Sequence, residues 1–175
     1  MPLPLIWLGA GLVAAAAGVE FAREQQKASG DVGVFPGECD KKVLPIDGAI
    51  VCCGIYGVFQ HTGIWLDDKV VELAGTGLIR AISPARFLAN RSGDKIFVAC
   101  DERRNVLASP DIITRTSETI FQYSKYDLVE NNCHRYVNRC LTGKNPPIAR
   151  FAQLNAAIAR HYKSPVRWQQ TVTST

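Results

Sequence analysis

Asp67-Asp68, placed between the strand-like runs 58–66 and 69–74, constrains this chain more than any other stretch. Two residues of this type between Val- and Ile-rich segments predict a tight β-hairpin. A two-residue turn also fixes the register, so Leu66 faces Lys69, Ile64 faces Val71 and Gly63 faces Glu72. Side chains alternate along each strand. Thr62, Ile64, Leu66, Val71 and Leu73 then share an apolar face, whereas His61, Gly63, Trp65, Val70 and Glu72 share the other. On that second face Glu72 is a diagonal neighbour of His61, and Gly63 leaves space beside them. A carboxylate so placed can accept the imidazole N–H, fix the tautomer and stabilise the imidazolium.

Downstream, Asn131-Asn132-Cys133-His134-Arg135-Tyr136-Val137 reads as a helix start with Asn131 or Asn132 as N-cap. Cys133, Tyr136, Val137, Cys140 and Leu141 recur at helical spacing, and Gly143 marks the end. A first-turn thiol is favoured as thiolate by the helix dipole, and a nearby imidazole favours it further. Its backbone N–H can help hold an oxyanion. Taken singly, Cys133 reads as a core cysteine and His61 as a hydrogen-bonded strand residue. Their joint occurrence, with Glu72 placed by strand parity, points to nucleophilic catalysis. Asn132 and His134 are candidates for the oxyanion site or its rim, since His134 sits about 100° around the helix from Cys133. Trp65 and Val70 are candidates to line a substrate channel, or else pack against a helix.

Elsewhere, 49–55 reads as a buried strand and 95–100 as another, with Gly54 and Gly57 allowing a bend. Ser83-Pro84 and Ser109-Pro110 are paired N-cap and first-turn signals, predicting helices to Leu88 and to about Ser124. Pro146-Pro147 starts a last helix with Ile148, Phe151, Leu154 and Ile158 on one face, and the chain after Pro165 looks loose. Strands followed by helices make an α+β domain. The division expected is 1–19 hydrophobic anchor or signal, 20–44 linker, 45–164 catalytic domain and 165–175 tail.

Residues 3–19 carry no charge, close to the length of about 20 that spans a bilayer core. The segment reads as a membrane anchor, with a cleaved signal or a buried core helix as alternatives. Arg23 and Lys27 follow it and nothing basic precedes it, which places the main domain on the cytoplasmic side of a single-pass topology.

The net charge of +4 is spread among acids, so nucleic acid is not indicated as a partner. The six cysteines include the adjacent Cys52-Cys53 and no Cys-x-x-Cys pair, so no zinc site is expected, and no spacing implies a cofactor. Most of these thiols read as small buried hydrophobes in a reducing compartment. Oligomeric state is not legible.

The stretch from His61 to Gly75, His-Thr-Gly-Ile-Trp-Leu-Asp-Asp-Lys-Val-Val-Glu-Leu-Ala-Gly, resembles the His-x-Gly-Ile-Tyr-Leu-Gly-Asp…Val…His segment of the lecithin:retinol acyltransferase family. Residues 126–137, Tyr-Asp-Leu-Val-Glu-Asn-Asn-Cys-His-Arg-Tyr-Val, are similar to that family's Tyr-x-Leu…Asn-Asn-Cys-Glu-His-Phe-Val. The resemblance spans about 45–142 and implies a circularly permuted papain-like fold of the NlpC/P60 type, an antiparallel sheet with packed helices. It implies Cys133 as nucleophile, His61 as base and Glu72 in place of a second histidine, with a turn one residue shorter. Cys133-His134-Arg135-Tyr136 also departs from the Cys-Glu-His-Phe run.

The chemistry expected is a thioester acyl-enzyme formed from an ester, thioester or amide, with a lipid or other acyl-bearing small molecule as partner and the N-terminal segment as membrane tether. A cysteine peptidase or amidase keeps the nucleophile and changes the substrate. A tethered interaction module without catalysis is the third reading, since fold does not dictate function.

Overall fold

A computed structural model describes residues 18–55 and 59–172. Helix α1 covers 18–28. Eight strands follow the order β1 (Val32–Val34), β2 (Lys42–Val43), β3 (Ile50–Ile55), β4 (Phe59–Leu66), β5 (Lys69–Leu73), β6 (Ile79–Ile82), β7 (Ile96–Cys100) and β8 (Val166–Thr171). Four more helices are α2 (Pro84–Leu88), α3 (Pro110–Ser117), α4 (Cys133–Thr142) and α5 (Phe151–Tyr162). The architecture is α+β. The strands form one sheet in the order β1-β8-β7-β3-β4-β5-β6, with β2 also on β8.

The β4–β5 turn has the predicted register, with Ile64 opposite Val71, Trp65 opposite Val70 and Leu66 opposite Lys69. Asp67 and Asp68 both take positive φ, 50° and 53°, the pairing a two-residue type I′ turn requires. Both faces of this hairpin are buried. Ile64, Val71 and Leu73 join a core with Tyr136, Val137 and Leu141 of α4, Leu154 and Ile158 of α5, and Trp168. Trp65 and Val70 join a second core with Val51, Ile82, Phe87 and Val98. The space expected beside Gly63 is filled, because a Cβ there would lie 2.6 Å from Val70 Cγ1 and 2.8 Å from the Val71 carbonyl oxygen.

Several expectations are corrected. The stretch 20–44 is not a plain linker: it holds most of α1 together with β1 and β2, and both strands run parallel to β8. Such short strands, set among Gly and Pro, leave no alternation to read. The sheet is therefore mixed rather than wholly antiparallel. Within the tail expected to be loose, 165–175, Val166–Thr171 form strand β8 between β1 and β7, with Trp168 fully buried and its Nε1–H donated to Asn155 Oδ1 at 3.1 Å. Polar Gln169 and Gln170 hid the strand from a reading based on apolar alternation. Helix α3 stops at Ser117, since Phe121 turns to φ 67° and its N–H bonds the Ile79 carbonyl beside β6. Helix α5 starts at Phe151 rather than at the prolines, with Gln153 Oε1 accepting the Ala149 and Arg150 N–H groups.

Most of the apolar N-terminal segment lies outside the described residues. Among the described residues, no helix is long and apolar enough to cross a membrane.

Candidate active site

Strand β4 presents His61 and Thr62, β5 presents Glu72, and α4 presents Cys133 and His134 in its first turn. Asn132 caps α4, and its Oδ1 accepts the His134 and Arg135 N–H groups at 3.0 and 3.1 Å. Its Nδ2 donates to the Leu128 and Ala149 carbonyls, both at 2.8 Å. The Asn132 amide is thus consumed in anchoring the helix, and it is not an oxyanion donor. Cys133 is the first helical residue, so its own N–H has no intrahelical acceptor and stands at the positive end of the dipole.

Cys133 is 4 % exposed and His61 6 %. The two side chains lie close enough to act on each other's ionisation, and His61 Nε2 donates to Glu72 Oε2 at 2.7 Å, which leaves Nδ1 as the nitrogen free for the thiol. The structure therefore brings Cys133, His61 and Glu72 into one chain of contacts. Burial pushes the Cys133 thiol up, but the charge and hydrogen bond of His134, then those of His61, bring it well below its ordinary value. Burial pulls the His61 imidazole down, whereas its bonds to Cys133 and Glu72 raise it overall. Both directions favour a thiolate–imidazolium pair.

Sequence reasoning missed the setting of Glu72. Its Oε1 accepts two bonds from Arg80, from Nε at 3.0 Å and Nη2 at 2.7 Å, and its Oε2 also accepts from Arg91 Nη2 at 3.0 Å. Burial alone would raise the carboxyl, yet the His61, Arg80 and Arg91 charges take it down to about 2. Arg80 was findable, because it pairs directly with Glu72 across β5 and β6. Arg91 was not, since it follows α2 in a loop; it lies over the Phe87 ring and donates to the Phe87 carbonyl.

His134 is not a rim residue. It is 7 % exposed, and its Nδ1 lies 3.1 Å from Thr62 Oγ1 and 3.9 Å from Cys133 Sγ. The angle around the helix was right in principle, but a long ring in the first turn folds back toward the sheet. Trp65 and Val70 are buried in the second core with Phe87 of α2, the packing alternative to a channel lining. Phe87 itself stacks on His61 at 5.2 Å between centroids. A cavity of about 580 Å³ lies between α4 and α5, lined by Asn138, Lys144, Ile148 and Arg160 among others, and it touches none of the three candidate catalytic residues. Among the described residues, no group of three or more metal-ligating side chains occurs.

The sequence model described as lecithin retinol acyltransferase aligns with residues 46–146, more than half of the chain. No curated protein and no solved structure matches.

Proposed function

Because the chain belongs to the lecithin retinol acyltransferase family, we propose that it is a cysteine acyltransferase or hydrolase working through a thioester on Cys133. The observation that carries this reading is the convergence of Cys133, His61 and Glu72, with His61 bonded to a carboxylate held by two arginines. The Cys133 thiolate attacks the carbonyl carbon of an acyl ester, and the carbonyl π electrons move to oxygen. The free Cys133 N–H at the start of α4 is suited to hold that oxyanion. Collapse breaks the bond to the leaving alcohol, which takes the His61 Nδ1 proton. A second alcohol, an amine or water then gives its proton to neutral His61 and attacks the thioester, which restores thiolate and imidazolium. Glu72 keeps Nε2–H bound throughout, so His61 exchanges protons only at Nδ1.

Lipid acyl groups are the proposed substrate class. Two features support it: the charge-free run at 3–19, suited to holding the chain at a bilayer with the domain on the cytosolic side, and the exposed Leu128 and Val129. The carbonyl of Leu128 is tied to the Asn132 cap immediately before the nucleophile. The test is fatty-acid release or transfer from phospholipid in mixed micelles by the full chain. Turnover that disappears in Cys133→Ala supports the reading, and equal turnover in that variant overturns it.

A further inference from the structure

The side chain next to the nucleophile places a second imidazole against the sulfur. His134 Nδ1 is 3.9 Å from Cys133 Sγ and 3.1 Å from Thr62 Oγ1, while His61 approaches the same thiol from β4. Each ring is braced, His61 by Glu72 and His134 by the fully buried Thr62. The far side of His134 rests on Phe151, 5.8 Å between ring centroids. A thiolate can only accept, whereas a threonine hydroxyl can do either. With the proton on Nε2, the His134 Nδ1 lone pair would face the sulfur anion. With it on Nδ1, one N–H serves both Oγ1 and Sγ.

We infer that His134 is a second hydrogen-bond donor to the Cys133 thiolate, and that Thr62 positions its ring, so the nucleophile does not depend on His61 alone for its ionisation. This rests on the reading of Cys133 as nucleophile. The other titratable groups facing the sulfur are Tyr126, from the segment before α4, and Cys53 of β3. Burial, reinforced by the Cys133 charge, pushes Tyr126 up to about 12. Burial also takes Cys53 to about 12, with Arg91 opposing and Glu72 and Cys133 adding to the rise. Neither group titrates near neutral pH. Arg91 carries a fixed charge beside both Cys53 and His61. The proton lost by Cys133 resides on His61, whose raised value suits it to hold that proton, and His134 contributes a hydrogen bond.

The test is the rate of iodoacetamide alkylation of the full chain from about pH 4 to about pH 10, read at the Cys133 peptide by mass spectrometry. His134→Phe should raise the midpoint by about one pH unit, slowing alkylation about tenfold at pH values well below the wild-type midpoint, with the alkaline plateau kept. His134→Gln, which restores an N–H donor, should recover part of the shift. Thr62→Val should move the midpoint in the same direction and Thr62→Ser should not. If His134→Phe does not fold, His134→Gln against Thr62→Val carries the comparison. A midpoint unmoved by all of these substitutions reduces His134 to packing and overturns the inference. Acylation of the wild-type chain by an activated ester is read in parallel: its absence alongside a shifted midpoint overturns the acyl-transfer reading and leaves this one standing.

Discussion

Glu72 Oε2 and His61 Nε2 meet at 2.7 Å inside the sheet, on strands whose register a two-residue Asp67-Asp68 turn dictates. Four nitrogen donors converge on the Glu72 carboxylate: one from His61, two from Arg80 and one from Arg91. A buried carboxylate stays ionised only when it is paired in this way. Together with the Cys133 thiol, which contributes more, this carboxylate makes His61 a stronger base than an imidazole at its ordinary value.

Glu72→Gln keeps the shape and removes the charge. His61 then loses its anionic partner, and two guanidinium groups face a neutral amide. Activity toward an activated ester should fall by about 100-fold or more, by analogy with loss of the orienting carboxylate in catalytic triads. Steady-state kinetics checks this, and retention of most of kcat would contradict it.

The same carboxylate should govern acid stability. A group whose folded pKa is depressed contributes stability above its unfolded value, and that stability is lost as pH falls through the folded value. For Glu72 the window runs from 4.5 down to about 2. The contribution is roughly 3 kcal/mol above that window. Melting temperature followed by circular dichroism should decline from about pH 4.5 downward in wild type, and less steeply in Glu72→Gln.

Gly63→Ala tests how closely β5 approaches β4. The added methyl would meet Val70 Cγ1 at 2.6 Å and the Val71 backbone oxygen at 2.8 Å. The backbone contact cannot be relieved by a rotamer change. Destabilisation of about 2 kcal/mol or more is expected, seen as a lower urea midpoint with an unchanged slope.

Removal of residues 166–175 should abolish cooperative folding. Strand β8 lies between β1 and β7, and Trp168 is completely buried. A truncated chain that still showed a sharp thermal transition would contradict the topology.

The hairpin and the cysteine helix were legible because their signals are local. Asp67-Asp68 sets a register by turn length alone, and Asn132 and Gly143 punctuate α4 at its two ends. His61 and Glu72 follow from that register by side-chain parity. What stayed hidden depends on chain segments far apart in sequence. Strand β8 is buried because β7, β1 and β2 all pair with it, which its Gln-rich composition does not advertise. Arg91 reaches Glu72 from a loop without a pattern, and the inward turn of His134 depends on Thr62 lying beneath it.

The most direct measurement is the mass of the chain trapped by acid during turnover of an activated acyl ester, followed by peptide mapping. A single acyl group on Cys133, labile to hydroxylamine, missing in Cys133→Ala and formed more slowly in His61→Ala, is the result this account predicts. Acylation on another residue, or none in a folded chain that still turns the ester over, would contradict it.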